Sequence, residues 1–235
     1  MRRGRKAYYD AFSPFYDRFI ALHSRDRQGL ARKFLVDQAP LKNGDAVLDL
    51  CTGTGTLLPH LQAKVGSEGQ VVGVDFSNGM LKVAREKTQS LANVSLVAAD
   101  AADLPFAAGT FDAVTCSHAF YELKGDTRDR VLQEIVRVLK PNGTFLMMEH
   151  DVPASRFVRF LFYIRLASMG TASAVKFLRQ EEQVLQAHFA DVSKVLAPAG
   201  RSKVMICRKD QRFRNNNVPA VPVTAQVESH RDLFE

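Results

Sequence analysis

The sequence predicts an α/β domain, doubly wound around a mostly parallel sheet, and three observations carry that prediction. Between Val47 and about Glu149, short apolar runs alternate with segments whose apolar residues recur at spacings of three and four, the pattern of strands joined by crossover helices. The runs "AVLDL", "VVGVD", "VSLVAAD", "FDAVTCS" and "TFLMMEH" are almost continuously apolar, as strands covered on both faces must be. Four of them end at or next to a polar residue, Asp49, Asp75, Asp100 and Ser117, and an open parallel sheet binds its ligand outside those ends.

Taken in order, residues 7–39 read as helix interrupted at Pro14, and the sheet begins only after this preamble. "NGMLKVAREKTQSLA" and "DTRDRVLQEIVRVLK" are amphipathic helices. The second aligns Val131, Leu132, Ile135, Val136 and Leu139 on one side and stops at "KPNG", where Pro141 and Gly143 end it. After the fifth strand, "PASRFVRFLFYIRLASMG" is an apolar helix candidate and "KFLRQEEQVLQAHF" another. "DVSKVLAPAGRSKVMICRK" reads as two short strands joined through "APAG". Residues 210–235 have scattered prolines and no period, so a tail without fixed structure is expected there. The expectation is a single domain over 1–209, with a helical lid at about 7–39 and an acceptor-side helical insertion at about 152–189.

Composition narrows the possibilities further. With 235 residues, 46% of them hydrophobic, the chain can bury one substantial core. No run is long and apolar enough for a membrane span, and the basic "MRRGRK" is not followed by the apolar stretch of a secretory signal. Cys51, Cys116 and Cys207 are odd in number and far apart in sequence, which argues against a disulfide framework or a paired-cysteine zinc site; a reducing, cytoplasmic setting is expected. The net charge of +7 is concentrated in "RRGRK" and "CRKDQRFR". It raises an anionic partner as a question, but no aromatic-interleaved basic stripe accompanies it, so nucleic acid is not expected.

"VLDLCTGTGTLLPHL" opens a nucleotide-cofactor turn, and by itself it leaves NAD, FAD and S-adenosylmethionine open. A dinucleotide fingerprint wants a third glycine after Gly53 and Gly55, and Leu58 stands there. Asp49 would repel a diphosphate and attract an ammonium and a sulfonium. Asp75, about 20 residues beyond the turn, has the spacing of a ribose-binding carboxylate. Asp100 suits the adenine amine, with the Ala101 amide beside it. These residues together favour S-adenosylmethionine.

The motifs "VLDLCTGTG", "VVGVDFSNGML", "AADAADLPFAAGTFDAVTCSHAF" and "IVRVLKPNGTFLMMEH", in that order and spacing, make the chain resemble a class I S-adenosylmethionine-dependent methyltransferase over roughly residues 8–209. Within that superfamily it is most similar to the ubiquinone and menaquinone biosynthesis C-methyltransferases, which also carry upstream segments like Tyr9-Asp10 and Tyr16-Asp17. The resemblance implies a Rossmann-like sheet of seven strands with the last antiparallel. It further implies that Asp49, Cys51, Gly53 and Gly55 surround the methionine portion and Asp75 holds the ribose. Phe76 and Met80 would flank the adenine, Asp100 and Ala101 would lie at its edge, and Ser117 beside the sulfonium. Tyr9 and Tyr16 would close over the cofactor. The chain departs from the branch after the fourth strand, where "HAFYEL" replaces a Gly-Leu-Arg-Asn segment.

Methyl transfer from a sulfonium is an in-line displacement that needs alignment more than a metal or covalent nucleophile. Candidates for an acceptor-side base are His118, Tyr121, Glu149 and His150, with His118 first because imidazole titrates near neutrality. The expected acceptor is small or lipid-like, a prenylated quinone precursor or a phospholipid amine. A polar metabolite, or S-adenosylmethionine binding without chemistry, are the alternatives. "RFVRFLFYIRLASMG", with Phe157, Phe160, Phe162 and Tyr163 among three arginines, suits either a lid or peripheral contact with a membrane surface.

Overall fold

The computed structural model describes residues 2–23, 30–123, 125–152, 155–157, 159–160, 172–198 and 202–209. The expected tail at 210–235 and most of the apolar segment after residue 160 lie outside these residues. Two helices, α1 (Arg2–His23) and α2 (Leu30–Gln38), precede the sheet. Then come β1 (Ala46–Leu50), α3 (Leu58–Val65), β2 (Gln70–Asp75), α4 (Asn78–Thr88), β3 (Val94–Ala98) and β4 (Phe111–Ser117). A 3-10 turn at Phe120–Glu122 leads to α5 (Asp126–Val138), β5 (Leu139–His150), α6 (Ala172–Gln186), β6 (Asp191–Leu196) and β7 (Ser202–Arg208).

The strands form one seven-stranded sheet in the order β3-β2-β1-β4-β5-β7-β6, with β7 antiparallel to both its neighbours. The central β1 pairs β2 on one side and β4 on the other, so the chain reverses its direction of winding there. That reversal opens a crevice at the carboxyl ends of β1 and β4. Strand alternation sorts the core into two layers. Leu48, Leu50, Val114, Cys116, Phe145 and Met147 meet α5 and α6 on one face. Val47, Val71, Ala113, Leu146 and Met148 meet Leu35 and Val36 of α2 and Leu58, Leu61 and Val65 of α3 on the other. Each fully buried side chain of this size contributes about 1.5–3 kcal/mol, so covering both faces, rather than helix propensity, holds the sheet together.

Two sequence expectations are corrected. Pro14 does not interrupt its helix, since α1 runs unbroken from Arg2 to His23. Proline removes the N–H that would bond the carbonyl four residues back, but the Ser13 hydroxyl donates to the Asp10 carbonyl at 3.0 Å and satisfies it instead. "KPNG" does not cap α5, which ends at Val138; these residues form an excursion within β5. Leu139 pairs Phe111 and Thr144 pairs Ala113, so the residues between leave the ladder, with Asn142 in the left-handed region at φ 65°. Two of the cysteines, far apart in sequence, are neighbours in space. Leu50 pairs Cys116 across β1 and β4, and the Cys116 thiol hydrogen-bonds to Cys51. All three cysteines are free thiols.

Candidate active site

The turn after β1 is built from left-handed residues, Cys51 at φ 54°, Gly53 at 54° and Gly55 at 71°. Its two glycines serve different ends. A Cβ on Gly55 would lie 2.8 Å from the Ala84 Cβ, so this glycine lets α4 pack against the turn. A Cβ on Gly53 would meet nothing closer than the Cys51 carbonyl at 4.0 Å, leaving room for a ligand against the backbone. Leu58, where a dinucleotide site has glycine, is fully buried. Its Cδ1 fills the gap over Gly73 of β2, 3.1 Å from where a Cβ there would stand. The close packing of helix on strand is therefore kept, with its glycine moved from helix to strand.

Two carboxylates face this turn. Asp75 is buried, and its oxygens accept the Gly53 and Ser77 N–H groups, each at 2.9 Å. It ties the β1 and β2 turns together and keeps lone pairs for a ribose diol. Asp49 is buried and accepts the Thr115 hydroxyl at 2.7 Å. Burial pushes its carboxyl up to about 6, against the hydrogen bond from Thr115. A buried acid with raised pKa is what a bound cation would relieve. The open face of Gly53 and the charge demand of Asp49 thus fit the aminoacyl end of S-adenosylmethionine, and Asp75 fits its ribose.

The residues assigned to the adenine lie along the same edge. Phe76 is half-buried at the end of β2, and Met80 is buried in the first turn of α4, its N–H on the Ser77 cap. Asp100 and Ala101 follow β3, where Asp100 accepts the Ala102 N–H at 3.0 Å and so fixes its own loop. Ser117 is half-buried at the last position of β4.

Helix α1 lies across these ends. Asp10 accepts the Ser77 hydroxyl at 2.7 Å and the Gly79 N–H at 2.9 Å, capping α4 from outside. Asp17 accepts the Thr54 hydroxyl of the glycine turn at 2.7 Å and pairs with Lys87. Glu122 accepts the Tyr9 hydroxyl at 2.9 Å and pairs with Arg5. The Tyr9 ring meets Phe76 edge-on at 5.9 Å. Burial raises the phenols of Tyr9, to about 12, and of Tyr16, and both feel the Asp75 charge. In each Tyr-Asp pair the tyrosine thus lies toward the crevice and the aspartate fastens the helix.

Burial would raise the Asp10 carboxyl, but hydrogen bonds from Lys6, Gly79 and Ser77 outweigh it and hold the group down at about 2, below its ordinary 3.8. Its folded pKa is depressed, so this fastening is complete above about pH 4 and lost as pH falls toward 2. Asp10→Ala is expected to lower stability by about 1–2 kcal/mol in chemical denaturation near pH 7. The difference from wild type should vanish as the titration reaches pH 2.

At the acceptor end, the joined ends of β4 and β5 bring His118, Tyr121, Glu149 and His150 together. His118 adopts φ 52°, and its N–H donates to the Met148 carbonyl at 2.8 Å. Its ring lies 4.7 Å from that of His150, and Tyr121 lies 5.9 Å from the same ring. Burial, with His150 and Arg32 nearby, lowers His118 to about 3, so the imidazole is neutral and offers an acceptor nitrogen; its Nδ1 is buried with no hydrogen-bond partner. Phe157 and Phe160 are exposed, while Phe162 and Tyr163 lie outside the described residues.

Sequence reasoning did not find Thr115, Thr54, Glu122 or Arg32. Thr115 could have been found from strand register, since it sits opposite Asp49 in the β1–β4 ladder. Nothing local marks the others.

The sheet order with its antiparallel β7, the open glycine turn and the polar residues at the strand ends define a nucleoside-binding architecture, and known proteins agree. Residues 47–143 match the family model described as a methyltransferase domain. A S-adenosylmethionine-dependent methyltransferase from Aquifex aeolicus has the same fold, with a TM-score of 0.59 at 20% identity over 82% of this chain and 97% of that one. A 2-phytyl-1,4-naphtoquinone methyltransferase from a Nostoc species is 36% identical over 66% of this chain and 68% of its own length. The demethylmenaquinone methyltransferase of Symbiobacterium thermophilum is 36% identical over 66% of this chain, an alignment that spans 62% of that relative. The chain belongs to the class I S-adenosylmethionine-dependent methyltransferases, in the branch of the ubiquinone and menaquinone biosynthesis enzymes.

Proposed function

We propose that this protein methylates a ring carbon of a reduced, prenylated quinone precursor, with S-adenosylmethionine as donor. The observation that carries the acceptor half is the cluster of rings at the ends of β4 and β5. A neutral His118 and the His150 and Tyr121 rings offer stacking surface and a hydrogen-bond acceptor to a planar hydroxyarene. The names of the relatives support the same class. In this reading Asp49, Cys51, Gly53 and Gly55 hold the methionine portion, Asp75 the ribose, and Phe76, Met80, Asp100 and Ala101 the adenine. Ser117 lies beside the reacting centre, and Tyr9 and Tyr16 exclude water above it. When bound, the cofactor supplies an electrophilic methyl group on a sulfonium. The chain's own contribution is to hold the acceptor carbon in line with it.

The test is acceptor choice. A 2-prenyl-1,4-naphthoquinol kept reduced should be methylated, and the same naphthoquinone kept oxidised should not, because only the quinol carries an electron-rich ring carbon. Equal turnover of a small polar amine would overturn the acceptor class.

Among the described residues no helix is long and apolar enough to cross a membrane. In this reading a lipid acceptor is met at a membrane surface, and exposed Phe157 and Phe160 beside Arg156 and Arg159 suit contact with an anionic bilayer. The protein is expected to co-sediment with anionic vesicles at low salt, and replacing both phenylalanines by serine should release it.

A further inference from the structure

A carboxylate buried at the acceptor end caps the 3-10 turn with one oxygen and leaves the other unmet. Glu149, at the end of β5, is fully buried. Its Oε1 accepts the Tyr121 N–H at 3.1 Å, while its Oε2 is buried with no hydrogen-bond partner. It stands opposite Lys203 in the β5–β7 ladder, but that ammonium pairs with Glu181 of α6, and its charge offsets only part of the effect of burial on Glu149. The remaining groups around it leave the oxygen equally unmet. The Arg128 guanidinium of α5 lies over the Phe177 ring at 4.0 Å and donates to the Leu123 carbonyl. Cys116 on β4 is a thiol, and His118 and His150 are the paired imidazoles beside the strand ends. An orphaned, buried carboxylate oxygen costs about 1–3 kcal/mol unless something else meets it.

We infer that Glu149 is the general base of the reaction, its Oε2 accepting the hydroxyl proton of the acceptor while His118 orients the same ring. This rests on the reading of the acceptor as a reduced quinone. As the ring carbon forms its bond to the methyl group and the carbon–sulfur bond breaks, the neighbouring O–H electron pair moves into the ring and its proton passes to Glu149. Loss of the ring-carbon hydrogen to water then restores the aromatic ring, and Glu149 returns its proton to the ring oxygen. Burial first, and then the nearby Glu181 charge, raise Glu149 to about 8 against the Tyr121 and Phe120 backbone hydrogen bonds and the Lys203 charge. The ionised form is therefore a stronger base than His118, whose buried imidazole holds a proton only near pH 3.

The experiment follows turnover of the reduced naphthoquinol from pH 6 to 10, with S-adenosylhomocysteine calorimetry on the same preparations. Wild-type turnover is expected to climb about tenfold per pH unit and level near pH 8. Glu149→Gln, which keeps the acceptor for the Tyr121 N–H, should fall at least about 100-fold and lose that limb. Glu149→Asp should recover the limb in part, and His118→Ala should lower turnover while keeping it. A carboxyl titrating near pH 8 in carbon-13 NMR should be present in wild type and missing from Glu149→Gln. Glu149→Gln with an unchanged limb, or with S-adenosylhomocysteine binding lost, overturns the assignment. A wild-type protein that binds S-adenosylhomocysteine but leaves the quinol unmethylated overturns the acceptor reading, and this inference with it.

Discussion

Replacing Asp49 by asparagine is expected to weaken S-adenosylhomocysteine binding about 10- to 100-fold while leaving the fold intact, because a charge-assisted hydrogen bond contributes about 1.5–3 kcal/mol. Asparagine keeps the shape and can still accept the Thr115 hydroxyl, so only the charge is removed. Asp49 has a carboxyl raised to about 6 in the free protein. Ligand affinity should therefore fall as pH drops below 6 in wild type, with proton release on binding, and be nearly flat in Asp49→Asn. The sign for stability is opposite. An acid whose folded pKa is raised binds extra protons when folded, so wild-type stability falls as pH climbs from about 3.8 to about 6. Asparagine carries no such penalty, and the free variant should melt at a higher temperature above pH 6. Weaker binding in a more stable protein is the signature of a buried charge kept for its ligand.

Gly55→Val is expected to cost about 2–5 kcal/mol of stability, the larger part from overpacking. The substituted residue must hold φ 71°, which β-branched side chains resist, and its Cβ would be driven to 2.8 Å from the Ala84 Cβ and 3.2 Å from the Ala84 Cα. That backbone contact cannot be relieved by a rotamer change, so α4 must move away from the turn. Since α4 carries the Ser77 cap and the Asp10 contact, cofactor affinity should fall as well. Gly53→Ala makes the contrast. It shares the left-handed backbone but has open space around it, so its stability loss should stay near 1 kcal/mol while binding is largely lost. Chemical denaturation and calorimetry on both variants separate the two roles.

Much of this arrangement was legible because it depends on short-range pattern. The apolar runs from "AVLDL" to "TFLMMEH" set the strands, and their terminal Asp49, Asp75 and Ser117 marked the crevice before any register was known. What stayed hidden depends on partners far along the chain. Pro14 reads as a break until Ser13 is seen to occupy the carbonyl it leaves, and "KPNG" reads as a helix end until β5 pairs on both sides of it. The segment "HAFYEL", which stands where the quinone enzymes carry Gly-Leu-Arg-Asn, reads as a loss of family character. In the fold its Glu122 supplies the partner of Arg5 and Tyr9 and so fastens α1 over the crevice. His118 looked like a base because free imidazole titrates near 7; burial removes that property, and Glu149 gains it from the same cause.

The most direct test of the proposed chemistry is the position of the transferred methyl group. S-adenosylmethionine labelled with carbon-13 in its methyl group is incubated with the protein and a reduced 2-prenyl-1,4-naphthoquinol, and the product is read by NMR. Label on the ring carbon beside the prenyl-bearing carbon, coupled to aromatic carbons, is the predicted result. Label on a phenolic oxygen, appearing as a methoxy signal, would contradict it.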